Sequence, residues 1–213
     1  MKYNFITIEG CIGSGKTTLA NMLGEEFSAK LVLEAFEDNP FLPKFYEEPE
    51  KFAFALELFF MAERYKQIKD FVATPDLFQQ KIISDYLFTK SLIFANITLQ
   101  EDENALYRRL FNIINAQLPQ PELIIYLHNT IPNLLYNIAI RGRIYEQNIQ
   151  AEYLEKLQAA YLQYFKSSTQ LTILMVNASA IDFVNNAEHY EKLKQLLLND
   201  YSKGIHYINS PLS

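Results

Sequence analysis

Short apolar runs alternate along this chain with longer stretches of helical spacing. Tyr3–Glu9 is brief and β-branched, it ends at a glycine-rich loop, and Lys16–Phe27 follows with helical periodicity. Lys30–Leu33 is a second apolar run that stops at Glu34, and the turn signal Asn39-Pro40-Phe41 precedes a long helical stretch from about Glu50 to Phe71. Lys81–Ser84, Leu123–Leu127 and Leu171–Val176 read as three further strands, the middle one apolar enough to be buried on both faces. Helical patterns cover Leu87–Ala95, Glu103–Ala116, a segment reaching Ile140, Ala151–Lys166 and Ala187–Asn199. Five strands alternating with helices predict an α/β fold, a parallel sheet joined by right-handed crossovers with helices on both faces. No repeat or linker divides residues 1–213, so the pattern predicts a single domain, with Ser202–Ser213 as a loose tail.

Composition narrows the function classes. A net charge of −6 opposes a surface built to neutralise a nucleic-acid polymer. Cys11 is the single cysteine, which excludes an internal disulfide framework and a multi-cysteine zinc site. Charged and amide residues interrupt even the Phe-rich stretch Phe52–Phe60, so no segment is expected to span a membrane. The N-terminus enters a strand-like run with no signal-peptide pattern, and together these features point to a soluble, cytoplasmic protein.

The chemistry begins at Gly10-Cys11-Ile12-Gly13-Ser14-Gly15-Lys16-Thr17, a complete P-loop standing after a strand and opening a helix. Glycines let the backbone turn tightly so that successive N–H groups face phosphate oxygens at the positive end of a helix. Lys16 adds a point charge, and Thr17, followed by Thr18, offers a hydroxyl to the Mg²⁺ that accompanies a nucleoside triphosphate. Cys11 reads as a small side chain that fits the loop rather than as a redox centre. A P-loop alone does not separate kinases from GTPases, motors or sensors. The chain has no Asn-Lys-x-Asp run of the kind that switch GTPases use to read guanine.

Three further segments decide more. They are Leu33-Glu34-Ala35-Phe36-Glu37-Asp38-Asn39-Pro40-Phe41-Leu42 with Phe45-Tyr46-Glu47-Glu48-Pro49, the helix Phe52–Arg64, and Arg141-Gly142-Arg143-Ile144-Tyr145-Glu146-Gln147 leading into Tyr153–Leu157. With the P-loop they resemble the deoxynucleoside kinase family over Tyr3 to about Val176, and within it the bacterial deoxyguanosine and deoxyadenosine kinases, which share the Asn-Pro-Phe-Leu turn. The resemblance implies a P-loop NTPase three-layer fold with an arginine-bearing lid at about 141–149. It also implies transfer of the γ-phosphoryl group of Mg·ATP to the 5′-hydroxyl of a deoxynucleoside in deoxynucleotide salvage, and a homodimer built through long helices. For the dimer face, the apolar stretches Phe52–Phe60 and Leu87–Ile97 are the candidates.

Glu34 stands at the carboxyl edge of the sheet, where open α/β folds bind ligands. The resemblance makes it the group that accepts the 5′-hydroxyl proton, although a loose phosphoryl-transfer transition state makes positioning of the hydroxyl at least as valuable as proton removal. Glu57 and Arg64 are seven residues apart, two helical turns, so they share a face about 10 Å apart along the axis. By resemblance both contact the base, but the family usually has glutamine where this chain has Glu57. An ionised glutamate only accepts hydrogen bonds, which suits the two donors on the Watson–Crick edge of guanine, N1–H and the 2-amino group, and not N1 of adenine. A purine deoxynucleoside is therefore expected, deoxyguanosine ahead of deoxyadenosine. By resemblance Tyr46 meets the sugar 3′-hydroxyl with help from Glu146. Arg141 and Arg143, two of five arginines, flank a glycine and suit the charge of a transferring phosphoryl group. Asp85, at the end of the third strand, is a candidate Mg²⁺ ligand beside Thr17.

Two positions depart from the family. Tyr86-Leu87 stands where Arg-Ser usually follows the acid, leaving Arg64, Lys90 or a lid arginine to supply the missing charge, and Asn137 replaces a frequent basic residue. A thymidylate-type nucleoside monophosphate kinase is a second enzyme reading, and a nucleotide sensor without turnover is a third from another class.

Overall fold

In the computed structural model, residues 1–35, 39–72 and 81–209 are described; Phe36–Asp38 of the Glu34 motif and the last four residues of the expected tail lie outside that set. One six-stranded sheet, all parallel, runs in the order β2-β3-β1-β4-β5-β6. Its strands are β1 (Phe5–Gly10), β2 (Lys30–Val32), β3 (Ile82–Ser84), β4 (Leu123–His128), β5 (Thr172–Asn177) and β6 (Gly204–Ile208). The helices are α1 (Lys16–Glu26), α2 (Leu42–Glu47), α3 (Pro49–Val72), α4 (Lys90–Thr98), α5 (Glu101–Asn115), α6 (Ile131–Arg141), α7 (Ala151–Ser167) and α8 (Ala187–Leu196).

The two-residue period of the strands sorts their side chains into two cores. From β4, Leu123, Ile125 and Leu127 join Leu19 and Leu23 of α1 and Leu193 of α8 on one face. Ile124 and Tyr126 point the other way, against Leu134 of α6 and Leu154, Tyr161 and Phe165 of α7. Both faces are covered, which is why this strand shows no polar alternation. A third cluster packs α3, α4 and α5 together through Met61, Ala95 and Phe111.

Five strands were expected and six are present. The sixth comes from the segment read as a loose tail: Gly204–Ile208 pairs with β5 from Thr172↔Gly204 to Val176↔Ile208. It is an edge strand whose residues are half-buried or exposed, so it lacks the apolar run that marks the interior strands. The short helix α2 and a single 3-10 turn at Ile144–Glu146 also have no periodic signal of their own. The helix expected at Leu87–Ala95 runs instead from Lys90 to Thr98.

The order β2-β3-β1 makes neighbours of three strand ends far apart in sequence. Val32 pairs with Ser84 and Ser84 with Thr7, so Glu34, Asp85 and the loop after Gly10 emerge side by side at the carboxyl edge. A buried carboxylate ties this edge together. Glu9 accepts from Leu87 N at 2.6 Å, Gly10 N at 3.1 Å and the Tyr161 hydroxyl at 2.9 Å, joining β1, the chain after β3 and α7. Burial pushes its pKa up, against the pull of Lys90 and these donors. Tyr161→Phe removes one donor from a group with no access to water. It is expected to lower stability by about 1–3 kcal/mol, read as a reduced urea midpoint, and an unchanged midpoint would show that the hydroxyl is dispensable.

Candidate active site

The P-loop leaves β1 at Gly10 and hands over to α1 at Gly15, with Gly13 at φ 81° and Gly15 at φ 85°. Both lie in the left-handed region that a side chain resists. A Cβ on Gly13 would sit 2.6 Å from the Leu134 carbonyl oxygen of α6. That close approach is reinforced by Asn137, whose Nδ2 donates to the Gly13 carbonyl at 2.8 Å. Asn137, a departure from the family pattern, thus holds the loop from behind. Cys11 is buried with Sγ 3.8 Å from the Tyr126 hydroxyl, and burial pushes its thiol up to about 12. It is a packing residue, as its place in the loop suggested.

Lys16 is nearly buried, and burial first, then the neighbouring Lys90 ammonium, lowers its affinity for its proton. Thr17 donates its hydroxyl to Asp85, whose other oxygen accepts from Glu34 N at 2.8 Å. Asp85 therefore links the first turn of α1 to the chain after β2. Among the described residues no group of three or more His, Cys, Asp or Glu could hold a metal.

Glu34 receives a cation on each oxygen. Arg64 donates from Nε at 2.9 Å and Nη2 at 2.5 Å to Oε1, and Lys90 Nζ lies 2.5 Å from Oε2. Burial alone would raise the pKa of Glu34, but Lys90, Arg64 and Lys16 outweigh it and hold the carboxyl well below its usual range. Arg64 is itself buried, donates to Ser91 Oγ at 2.6 Å and lies over the rings of Phe60 and Tyr86. Tyr86, the other departure, does not face this group of charges with its hydroxyl, which donates to Gln67 at 2.8 Å. Arg64 and Lys90 supply the positive charge beside Glu34.

Glu57 is 2% exposed and lies with Glu34, Arg64 and Lys90 along one cleft. Its Oε1 accepts from the Thr98 hydroxyl at 3.0 Å, while Oε2 is buried without a partner among the described residues. Burial raises its pKa to about 7, partly offset by Arg64 and the Thr98 hydrogen bond. The expected face of Glu57 and Arg64 is present, but one carboxylate oxygen is already committed.

Tyr46 and Glu146 line the same cleft, as do Arg141 and Arg143. Arg141 ends α6, Gly142 caps that helix at φ 72°, and Glu146 follows in the 3-10 turn. Both arginines pair with Glu146, Arg143 at 3.2 Å. Tyr46 stacks on Tyr145 with centroids 6.1 Å apart, and burial together with the Glu146 charge raises its hydroxyl pKa. Lys16, Glu34, Tyr46, Glu57, Arg64, Arg141, Arg143 and Glu146 thus line one cleft, with Thr17 and Asp85 in contact at the adjoining strand ends. Lys90 appeared only as one of three possible stand-ins for a missing charge. Ser91 and Thr98 were not expected at all, since they lie in an apolar helix whose partner face is set by packing against α3.

A family model described as deoxynucleoside kinase matches residues 6–201. The chain is 40% identical over 196 residues to a deoxyguanosine kinase of Bacillus subtilis, covering 89% of this chain and 93% of that protein. It is 29% identical over 200 residues to a deoxyadenosine/deoxycytidine kinase of the same organism, covering 90% of each. A deoxyadenosine kinase from M. mycoides with bound dCTP shares the fold, with a TM-score of 0.77 at 22% identity over 91% of this chain and 98% of that one. The chain belongs to the deoxynucleoside kinase family and is an ATP-dependent phosphotransferase. No helix of the described residues is long and apolar enough to cross a membrane.

Gly13→Ala forces a side chain into the left-handed region and against a carbonyl. It is expected to weaken ATP binding by about 10-fold to 100-fold in a fluorescent-nucleotide titration, in line with about 1–3 kcal/mol for a non-glycine residue held in that region, and retention of wild-type affinity would contradict the loop's assignment.

Proposed function

We propose that this protein transfers the γ-phosphoryl group of ATP to the 5′-hydroxyl of a purine deoxynucleoside, with deoxyguanosine preferred, as a step of deoxynucleotide salvage. The observation that carries this reading is Glu34, an ionised carboxylate clamped between Arg64 and Lys90 one strand away from Asp85 and two from the P-loop. The names of the relatives, deoxyguanosine kinase first among them, support the purine acceptor.

In this reading the backbone N–H groups of residues 10–15, with Lys16 and the first turn of α1, hold the triphosphate. Thr17, Thr18 and Asp85 border the same place. A hydroxyl and one carboxylate in contact suit Mg²⁺, which is commonly held by one or two protein oxygens, phosphates and waters. When bound, the ion supplies charge that offsets the phosphate oxygens. Glu34 orients the 5′-hydroxyl for in-line attack. Because its proton affinity is held so low, positioning the hydroxyl contributes more than removing its proton, which fits a loose phosphoryl-transfer transition state.

Arg141 and Arg143 rest on Glu146 and act on the transferring phosphoryl group when the segment 141–149 closes. Tyr46 and Glu146 meet the sugar. Glu57 meets the Watson–Crick edge with its unpartnered Oε2, accepting from guanine N1–H, and Arg64 borders the base. The family's homodimer is retained as part of this proposal, as is a cytoplasmic location. The apolar stretches Phe52–Phe60 and Leu87–Ile97 pack against each other through α3 and α4, so a dimer would use what they leave exposed.

Glu34→Gln keeps the shape and loses the charge, and it is expected to lower kcat by about 10²-fold or more with a smaller change in KM. Glu57→Gln restores a donor opposite the base. It is expected to lower the ratio of deoxyguanosine to deoxyadenosine turnover by about 10-fold to 100-fold, in line with about 1–3 kcal/mol for one buried polar mismatch. An unchanged ratio would remove Glu57 from base recognition.

A further inference from the structure

The two oxygens of Glu57 have unequal surroundings. Oε1 accepts from Thr98 Oγ1 at 3.0 Å. Oε2 is out of contact with solvent and has no hydrogen-bond partner among the described residues, although it belongs to a side chain that borders the cleft. A buried carboxylate oxygen left without a donor costs more than it returns unless a ligand completes it. Thr98 Oγ1 also lies 3.0 Å from the Phe94 carbonyl, which competes for its one hydrogen. When that hydrogen goes to Oε1, the proton of a neutral Glu57 resides on Oε2, and that atom faces the ligand as an acceptor when ionised and as a donor when protonated.

Position N1 of a purine presents the same choice from the other side. Guanine carries a hydrogen there and adenine a lone pair. We infer that the protonation state of Glu57 selects between the two purines: the carboxylate accepts from N1–H of guanine, whereas the carboxylic acid donates from Oε2 to N1 of adenine. This rests on the reading of Glu57 as the base-facing residue. The proton balance is simple. Adenine binds with uptake of one proton onto Oε2, and guanine binds to the ionised form with its own N1–H retained.

The surroundings permit this titration near neutrality. Facing Glu57 are Arg64 on its own helix, Lys90 and Thr98 from α4, Glu34 from the chain after β2, Tyr107 of α5 and Tyr153 of α7. Glu34 is held ionised by its cations, and burial raises both tyrosines, so neither carboxylate partner nor phenol changes charge in the same range. Burial lifts Glu57 to about 7, with Arg64, the Thr98 hydrogen bond and Lys90 opposing and Glu34 assisting. Neither purine base titrates near neutrality, so the protein supplies the change.

Thr98 is a positioning residue here. It keeps Oε1 occupied and, as a donor to the ionised form, favours the charged state. Its loss moves the balance toward the acid and hence toward adenine.

The test is kcat/KM for deoxyguanosine, deoxyadenosine and deoxyinosine with the unmodified protein from pH 5.5 to 8.5. The ratio of deoxyguanosine to deoxyadenosine is expected to rise by about tenfold per pH unit, the slope for one linked proton. Deoxyinosine, which has N1–H and no 2-amino group, should follow deoxyguanosine. Glu57→Gln is expected to make the ratio independent of pH, and Thr98→Val to shift it toward deoxyadenosine at fixed pH. A flat ratio in the unmodified protein, with Glu57→Gln still altering the preference, overturns the protonation mechanism alone. If Glu57→Gln matches the unmodified protein at every pH, the base-facing reading fails with it. Because the pH series needs no substitution, it stands even if a variant does not fold.

Discussion

The carboxyl edge of this sheet is organised around one half-buried carboxylate, Glu34, and the two buried cations it retains. Glu34 takes Arg64 on one oxygen and Lys90 on the other, and Lys16 lies close enough for its charge to be felt. Removing charges from water is costly unless each is paired. Here the pairing crosses three elements, since Arg64 comes from α3, Lys90 opens α4 and Glu34 follows β2. The proton affinity of Lys16 is reduced by burial and by Lys90, against the opposing pull of Glu34, Asp85 and Glu9. A buried cation under those conditions favours an arriving polyanion, which is what a P-loop is built to receive.

The rest of the molecule holds that edge in place. Alternate residues of β4 and β5 fill cores on both faces, so the strands cannot slip by one residue without exchanging those faces. Glu9 secures the base of the P-loop to α7 and to the chain after β3, while α6 presses on Gly13 through Leu134 and Asn137. On the far side of the cleft, Glu146 keeps Arg141 and Arg143 together at the cap of α6. These are separate anchors for the P-loop and for the two arginines.

Much of this is legible in the sequence where the physics is local. The P-loop can be read directly because its backbone demands glycines at fixed spacing, and Glu34 and Asp85 because each ends a short apolar run. The shared face of Glu57 and Arg64 follows from helical spacing, and their place beside a base from the family resemblance. What could not be read comes from tertiary packing. Lys90, Ser91 and Thr98 sit in a helix whose apolar residues dominate its pattern, and only the meeting of α3 with α4 turns them toward Glu34, Arg64 and Glu57. Strand β6 escaped because an edge strand need not be apolar. The departures from the family pattern acquire physical roles from the same packing: Tyr86 turns its hydroxyl to Gln67, and Asn137 binds the loop it backs.

The central claim is that this edge presents a nucleoside hydroxyl to the γ-phosphoryl group of ATP. Its most direct test is to incubate the protein with Mg·ATP labelled in the γ-phosphoryl group, supplying each deoxynucleoside and each deoxynucleoside monophosphate separately, and to identify the labelled product. The account predicts label on the 5′-oxygen of deoxyguanosine, with less on deoxyadenosine. Label on monophosphates alone, or on no acceptor, would contradict it.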